Sequence, residues 1–258
     1  MNQTVAPEPK AQVAARDLIL VLADSKRLLG TRYAEWILGA PELETGIACA
    51  SMAQDEWGHA RLLYALLKDF DEDIDRLEHG REPHEYASIE LLDRSPASWA
   101  EFVAINALVD TALTVQLRAL TESSYAPLRQ RVAKLIDEER FHEAHGVAWS
   151  RRLASTPEGR SALNEAVQQV LPKAVQWFGL PGDDAAADGL MAGTADDLRD
   201  AFIAAIAPVL ENVRGTDGSA GLDFESFDPR TRRTRGTSPD AETIARVRGD
   251  KNRAFLMD

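Results

Sequence analysis

Two short stretches of the chain, QDEWGHA at 54–60 and DEERFHEAHG at 137–146, each carry a Glu-x-x-His pair: Glu56 with His59, and Glu139 with His142. Residues three apart on an α-helix share a face, so each pair is a chelate of one carboxylate oxygen and one imidazole nitrogen. Apolar neighbours at helical spacing, Cys49, Met52 and Leu63 around the first pair and Val132 and Leu135 around the second, turn both pairs inward. Buried without partners, such groups would cost several kcal/mol. A bound cation removes that cost; the alternative is two pairs that lie on solvated helix surfaces.

To meet at one point the pairs need rigid elements. Apolar residues recur at three- and four-residue spacing over 11–38, 42–68, 98–121 and 127–154, and more weakly over 158–178 and 196–213, which predicts helices. Breaks fall at 39–42, 79–98, 123–127 and 179–189, where Gly, Pro, Asp and Ser gather. No convincing strand alternation appears. Two helical hairpins joined by a crossing segment of about twenty residues predict an all-α four-helix bundle with one long connection, additional C-terminal helices packed outside it, and an irregular tail. We divide the chain into a helical domain over 1–214 and an arginine-containing tail over 215–258 with one short helix near 240–250.

Antiparallel partners must meet at one height, at ~1.5 Å per residue. Glu139 lies twelve residues past Pro127 and Asp110 thirteen before Ser123, so Asp110 is the matching acid of the second hairpin, with Asn106, Leu113 and Leu117 on its face. In the first hairpin Glu56 lies fifteen residues past Pro41, which puts its counterpart at 24–26; Glu35, four residues from the turn, is too low to be a ligand. Within that window Lys26 shares an apolar stripe with Ile19, Leu22, Leu29 and Tyr33, whereas Asp24 shares its face with Asp17, Thr31 and Glu35. Lys26 is therefore the inward residue. Asp55 and Glu138, each preceding a ligand glutamate, either hydrogen-bond a histidine of the facing helix or are solvated. His145 reads as support or plain packing, His79 and His84 have no evident role, and Trp36, Trp57 and Trp99 read as core or interface aromatics.

Composition narrows the chemistry. A net charge of -13, from 42 acids against 29 bases, argues against nucleic-acid binding through a general positive field. The single cysteine, Cys49, excludes an internal disulfide and a cysteine-based metal cluster, so any metal must use oxygen and nitrogen. No apolar run reads as approaching the ~20 residues needed to span a membrane, and the stretch MNQTVAPEPK lacks the pattern of a targeting segment, which predicts a cytoplasmic protein. The arginines of DPRTRRTRG (228–236) read as a solvated or partner-facing run, or as a local anion site.

Inward Glu-x-x-His from two helices, with an acid from each of the others, resembles the arrangement of ferritin-like di-iron carboxylate proteins. More specifically, MAQDEWGHARLLY, SPASWAEFVAINALVDTALTVQLRALTESSYAPL and IDEERFHEAHG resemble, in order, the A–C subunit family of bacterial phenylacetyl-CoA epoxidase, its catalytic A subunit in particular, over roughly 20–215. APELETGIA also resembles the non-catalytic sister of the same fold, which typically lacks the Glu-x-x-His of the second helix. The family's metal ligands match Glu56, His59, Asp110, Glu139 and His142; its first-helix glutamate falls on Lys26, and a family lysine one turn before the second-helix glutamate falls on Met52.

The resemblance implies a non-haem iron monooxygenase of phenylacetate catabolism, with manganese as the alternative metal. It would use O2 as co-substrate to place one oxygen atom on an aromatic acyl-CoA-like substrate, with Lys26, Glu56 and Glu139 at the reacting centre. It further implies a separate flavin and iron–sulfur reductase, since no Gly-rich dinucleotide fingerprint is present, and a homo- or hetero-oligomer with a partner of the same fold. Two divalent ions and a lysinium against Glu56, Asp110 and Glu139 leave two excess positive charges, while one ion and the lysinium balance. We therefore expect the stronger metal position at Asp110, Glu139 and His142, with Lys26 competing for metal at Glu56 and His59. The second reading is a non-catalytic subunit in which Lys26 replaces the metal charge.

Overall fold

The computed structural model describes residues 9–183, 189–215, 221–250 and 252. Four long rods form the bundle: α1 (Pro9–Glu35), α2 (Leu43–Leu66), a composite third rod, and α6 (Ala126–Leu153). The third rod runs as α4 (Trp99–Ala104), a widened π turn (Ile105–Asp110) and α5 (Thr111–Ala119). Ser98 caps it, its hydroxyl accepting from the Glu101 amide at 3.1 Å, which satisfies one of the orphan donors of a helix start. Outside the bundle, α7 (Pro157–Gln176) covers α4, and α8 (Ala195–Leu210) covers α5 and α6. The all-α bundle is as the spacing predicts, with helix ends shifted by up to three residues. The stretch MNQTVAPEPK, read above for targeting character, lies largely outside the described residues, as does part of the break at 179–189.

Three expectations change. Trp99–Ala119 is long and apolar enough to cross a bilayer by length and composition, contrary to the reading of the apolar runs, but it is the buried core rod of the bundle. Lys26 is not alone in facing inward within the 24–26 window, since Asp24, on the other face of α1, is buried as well. The crossing segment, including α3 (Ile74–His79), lies over that face, and Asp24 accepts hydrogen bonds from both Arg81 terminal nitrogens, the Tyr64 hydroxyl and the Ala87 amide. The arginine run is not uniformly solvated either. A two-residue antiparallel pair, β1 (Phe227–Asp228) with β2 (Arg233–Thr234), folds it back, so that Arg233 is buried, donating to the Ser88 carbonyl and to Asp93 Oδ2. Arg230 and Arg235 remain exposed. The short helix read near 240–250 is α9 (Ala241–Arg248), packed on α1 and α3.

The third rod and α6 approach closely at Gly146. A Cβ there would come within 2.9 Å of the Ala107 Cα, inside the π turn that ends at Asp110. Helix propensity alone favours Gly→Ala by up to ~1 kcal/mol. Forcing an atom against backbone costs ~1–3 kcal/mol, so Gly146→Ala is expected to lower stability, read as a reduced urea midpoint. A gain would show that the two rods separate freely.

Candidate functional site

At mid-height of the bundle, Lys26 of α1, Glu56 and His59 of α2, Asp110 at the end of the π turn, and Glu139 and His142 of α6 come together, all essentially buried. The Lys26 Nζ donates to Glu56 Oε1 at 2.9 Å, Asp110 Oδ1 at 3.0 Å and Glu139 Oε1 at 2.6 Å. All three donors of the ammonium are thereby used, one to each of three helical rods. His142 Nδ1 lies 2.9 Å from Asp110 Oδ2 and 3.2 Å from Glu56 Oε1. His59 Nδ1 lies 3.1 Å from Glu139 Oε1, close enough for an ion pair but without hydrogen-bond alignment. Glu56 Oε2 has no hydrogen-bond partner among the described residues.

A surrounding layer holds these groups in place. Glu138 Oε2 lies 2.7 Å from His59 Nε2, and Asp55 Oδ2 lies 3.4 Å from His142 Nε2, each acid serving the histidine of the facing helix. Tyr33 donates from its hydroxyl to Asp110 Oδ2 at 2.5 Å and accepts from Asn106 Nδ2 at 2.9 Å. The Thr114 hydroxyl bridges the Asp110 carbonyl and Glu139 Oε2. Glu35 is elsewhere, bonded to Arg32, Ser95 and Arg246. Sequence reasoning missed the polar roles of Tyr33 and Thr114. Tyr33, seven residues from Lys26 on one face, was legible as inward, but its hydroxyl was hidden within an apolar stripe.

The electrostatics follow from burial and mutual attraction. Burial alone would lower the Lys26 ammonium, but Asp110, Glu139 and Glu56 hold it well above its ordinary value. Burial likewise acts to lower both imidazoles, yet each is raised: His142 by Asp110 and further contacts to Glu139 and Glu56, His59 by Glu139 and Glu56. Burial raises Glu56 to about 7 against the pull of Lys26. Glu139 sits well below the carboxylate range, because Lys26 and the two histidines outweigh its burial. Three carboxylates thus face one ammonium and two imidazoles drawn toward their cationic forms. The cluster can balance its own charge.

Glu56, Asp110, Glu139 and His142 can each offer one atom within 4.8 Å of the others, a candidate metal cluster of hard oxygen and nitrogen donors suited to iron or manganese. The donor types fit such an ion. The geometry does not fit two, because Lys26 takes a carboxylate oxygen from all three acids. This corrects the expectation that Lys26 competes only at Glu56 and His59: its nitrogen reaches Asp110 and Glu139 of the second hairpin as well.

One turn beyond His142, His145 places its Nδ1 2.8 Å from Asn106 Oδ1. Burial, with the charge of His142, pushes it down to about 4. A histidine depressed in this way contributes stability above its unfolded value of ~6.5, and loses that contribution as pH falls toward 4. Between pH 7 and 4.5 the urea midpoint of the protein should therefore fall, and His145→Gln should flatten this slope. Identical slopes would place the proton elsewhere.

Comparison with known proteins bears on what such a cluster is for. The family model described as "Phenylacetic acid catabolic protein" matches residues 1–216. Two relatives are components of the 1,2-phenylacetyl-CoA epoxidase of Escherichia coli (strain K12). To its A component the chain is 30% identical over 203 residues, covering 74% of this chain and 64% of the relative. To its C component it is 30% identical over 156 residues, covering 60% of this chain and 62% of that relative. The chain thus spans slightly under two thirds of the length of either relative.

Proposed function

We propose, on the premise that this chain belongs to the phenylacetic acid catabolic protein family, that it serves as the structural helical subunit of a multi-component oxygenase acting on an aromatic acyl-CoA-like substrate. It would pair there with a partner of the same fold, in the cytoplasm. The observation that carries this reading is the Lys26 ammonium, bonded at 2.6–3.0 Å to the acids of three bundle rods. A cation built into the chain does for the buried carboxylates what a bound metal does in a ferritin-like centre: it neutralises them and ties the rods together. The two histidines, which from sequence argue for metal, gain a second use in this setting. Held by Glu138 and Asp55 from outside, they supply positive charge to the same acids.

A second reading is supported by the candidate ligand cluster and by the unbonded Glu56 Oε2. In it the chain is itself the monooxygenase component and holds one ion, iron or manganese, at Asp110, Glu139 and His142. Bound iron supplies O2 activation, with electrons from a separate reductase. Lys26 then holds Glu56, while Tyr33 orients the Asp110 carboxylate through its 2.5 Å hydrogen bond. Metal analysis separates the two. Protein purified with iron and manganese present, then loaded under reducing conditions and desalted, should hold less than ~0.1 ion per chain on the first reading. One tightly held ion selects the second reading, and two reject both.

A further inference from the structure

A cavity of about 430 Å³ opens between α1, described residues of the connection from α7 to α8, and the tail turn that joins β1 to β2. Its size is that of a small-ligand site. Leu18, Val21, Phe178, Leu190 and Met191 form an apolar lining, and Arg232 closes one side. Two features mark Arg232. Its backbone is left-handed, with φ 54, a conformation that glycine adopts freely and that strains a residue bearing a side chain. Its guanidinium is held by one hydrogen bond, from Nη1 to Gln116 Oε1 at 2.6 Å, and by the Trp177 ring 5.0 Å away. A guanidinium has five N–H donors, and no carboxylate lies within ion-pair distance of this one among the described residues.

Charge and shape narrow the ligand. Asp17, on the cavity wall, is paired with Arg16 at 2.5 Å and approached by Arg230 at 3.9 Å. Asp183 also lines the cavity and acts on Arg232 only at a distance. Arg16 is also held by Glu72 at 2.6 Å, so the charges around the wall balance, and Arg232 is the cation of the lining with no carboxylate in ion-pair reach among the described residues. Burial pushes Arg232 down to about 10, with Asp183 only partly opposing, as expected where negative charge is lacking. A monoanion answers that one guanidinium, whereas a doubly charged phosphate would also meet Asp17 and Asp183. A planar guanidinium edge matches a carboxylate in two-pronged geometry.

From these observations we propose that the cavity is a binding site for a small monocarboxylate with an apolar body, its carboxylate on Arg232 and its body on Leu18, Val21, Phe178, Leu190 and Met191. The site is separate from the Lys26 cluster, and the proposal does not rest on the function proposed above.

Titration calorimetry of the full chain with octanoate tests it. Saturable binding is expected, weakened at least tenfold by Arg232→Gln, and at least tenfold weaker for octanamide, which keeps the body and loses the charge. Inorganic phosphate should not compete. Leu18→Trp, which fills the cavity and leaves the Arg232–Gln116 bond untouched, should abolish binding, and it reads the site if Arg232→Gln fails to fold. Equal binding of octanamide, competition by phosphate, octanoate binding unchanged in either variant, or no saturation up to ~10 mM octanoate would each overturn the proposal.

Discussion

Replacing Lys26 with glutamate is expected to turn a chain without tightly held transition metal into one that binds two divalent ions. Charge at a fixed place decides the outcome. Lys26 Nζ lies 2.9, 3.0 and 2.6 Å from oxygens of Glu56, Asp110 and Glu139. An acid at the same helical position makes four carboxylates, which two divalent ions balance, and His59 and His142 stand beside them to complete the donor set. Without metal the variant buries four acids with no lysinium. It should therefore be unstable when chelated and recover on adding iron or manganese, by ~2.7 kcal/mol for each bound ion at a free metal concentration one hundred times the Kd. Metal content after desalting and the metal-dependent rise in Tm are both readable without any activity assay.

Lys26→Met is the companion experiment, since it removes the ammonium without supplying a ligand. Breaking a buried pair by deleting one partner costs ~3–5 kcal/mol, a large fraction of the ~5–15 kcal/mol that holds an ordinary domain together. This variant should be strongly destabilised, and more so as pH rises, since Glu56, raised to about 7 even against the pull of Lys26, rises further without it and must ionise unpaired at alkaline pH. If Lys26→Glu takes up no metal and shows no shift in Tm, the cluster is not a lysine-filled metal site. A wild-type chain that already holds two ions would refute the charge argument from the other side.

The residues that meet at the centre were legible because their positions obey simple periodicity. Glu-x-x-His fixes two donors to one face, and counting residues from the turns at Pro41 and Pro127 brings Lys26 and Asp110 to the same level as the pairs. What periodicity along one helix cannot show is what lies against its other face. Asp24 shares a polar face with Asp17, Thr31 and Glu35, away from the apolar stripe, yet it is buried because Arg81 and Ala87 arrive from a segment with little helical pattern of its own. The arginine run fails for the same reason. Arg233 contacts Ser88 and Asp93, residues distant in sequence, and only the fold brings them to it. The π turn at Ile105–Asp110 was equally invisible, since its apolar sequence differs little from that of an ordinary helix.

The loss expected from cutting the Asp24–Arg81 contact is comparable to that at Lys26, although no proposed chemistry touches it. Arg81 is buried, donates to both Asp24 oxygens and to the Leu77 and Glu85 carbonyls, and lies over the Tyr86 ring at 4.1 Å. Asp24 accepts in addition from Tyr64 and from the Ala87 amide at 2.8 Å. The pair thus fastens the crossing segment to α1 and α2, and two residues along α1, on another face of the same rod, stands Lys26. Asp24→Ala leaves a guanidinium buried beside Tyr64 and Tyr86, with the Ala87 amide unbonded, a loss of ~3–5 kcal/mol readable as a lower urea midpoint. Asp24→Asn keeps one acceptor and should lose less. Arg81→Met with Asp24→Leu removes both charges and should recover much of the loss, as apolar replacement of buried pairs often does. If instead the double variant is as unstable as Asp24→Ala, the contact matters through the hydrogen bonds that shape residues 81–87 rather than through its charge. A loss within ~0.5 kcal/mol for Asp24→Ala, the size of an ordinary surface change, would mean that the crossing segment is held by its apolar residues alone, such as Leu77, Ile89 and Leu92, all buried in the core.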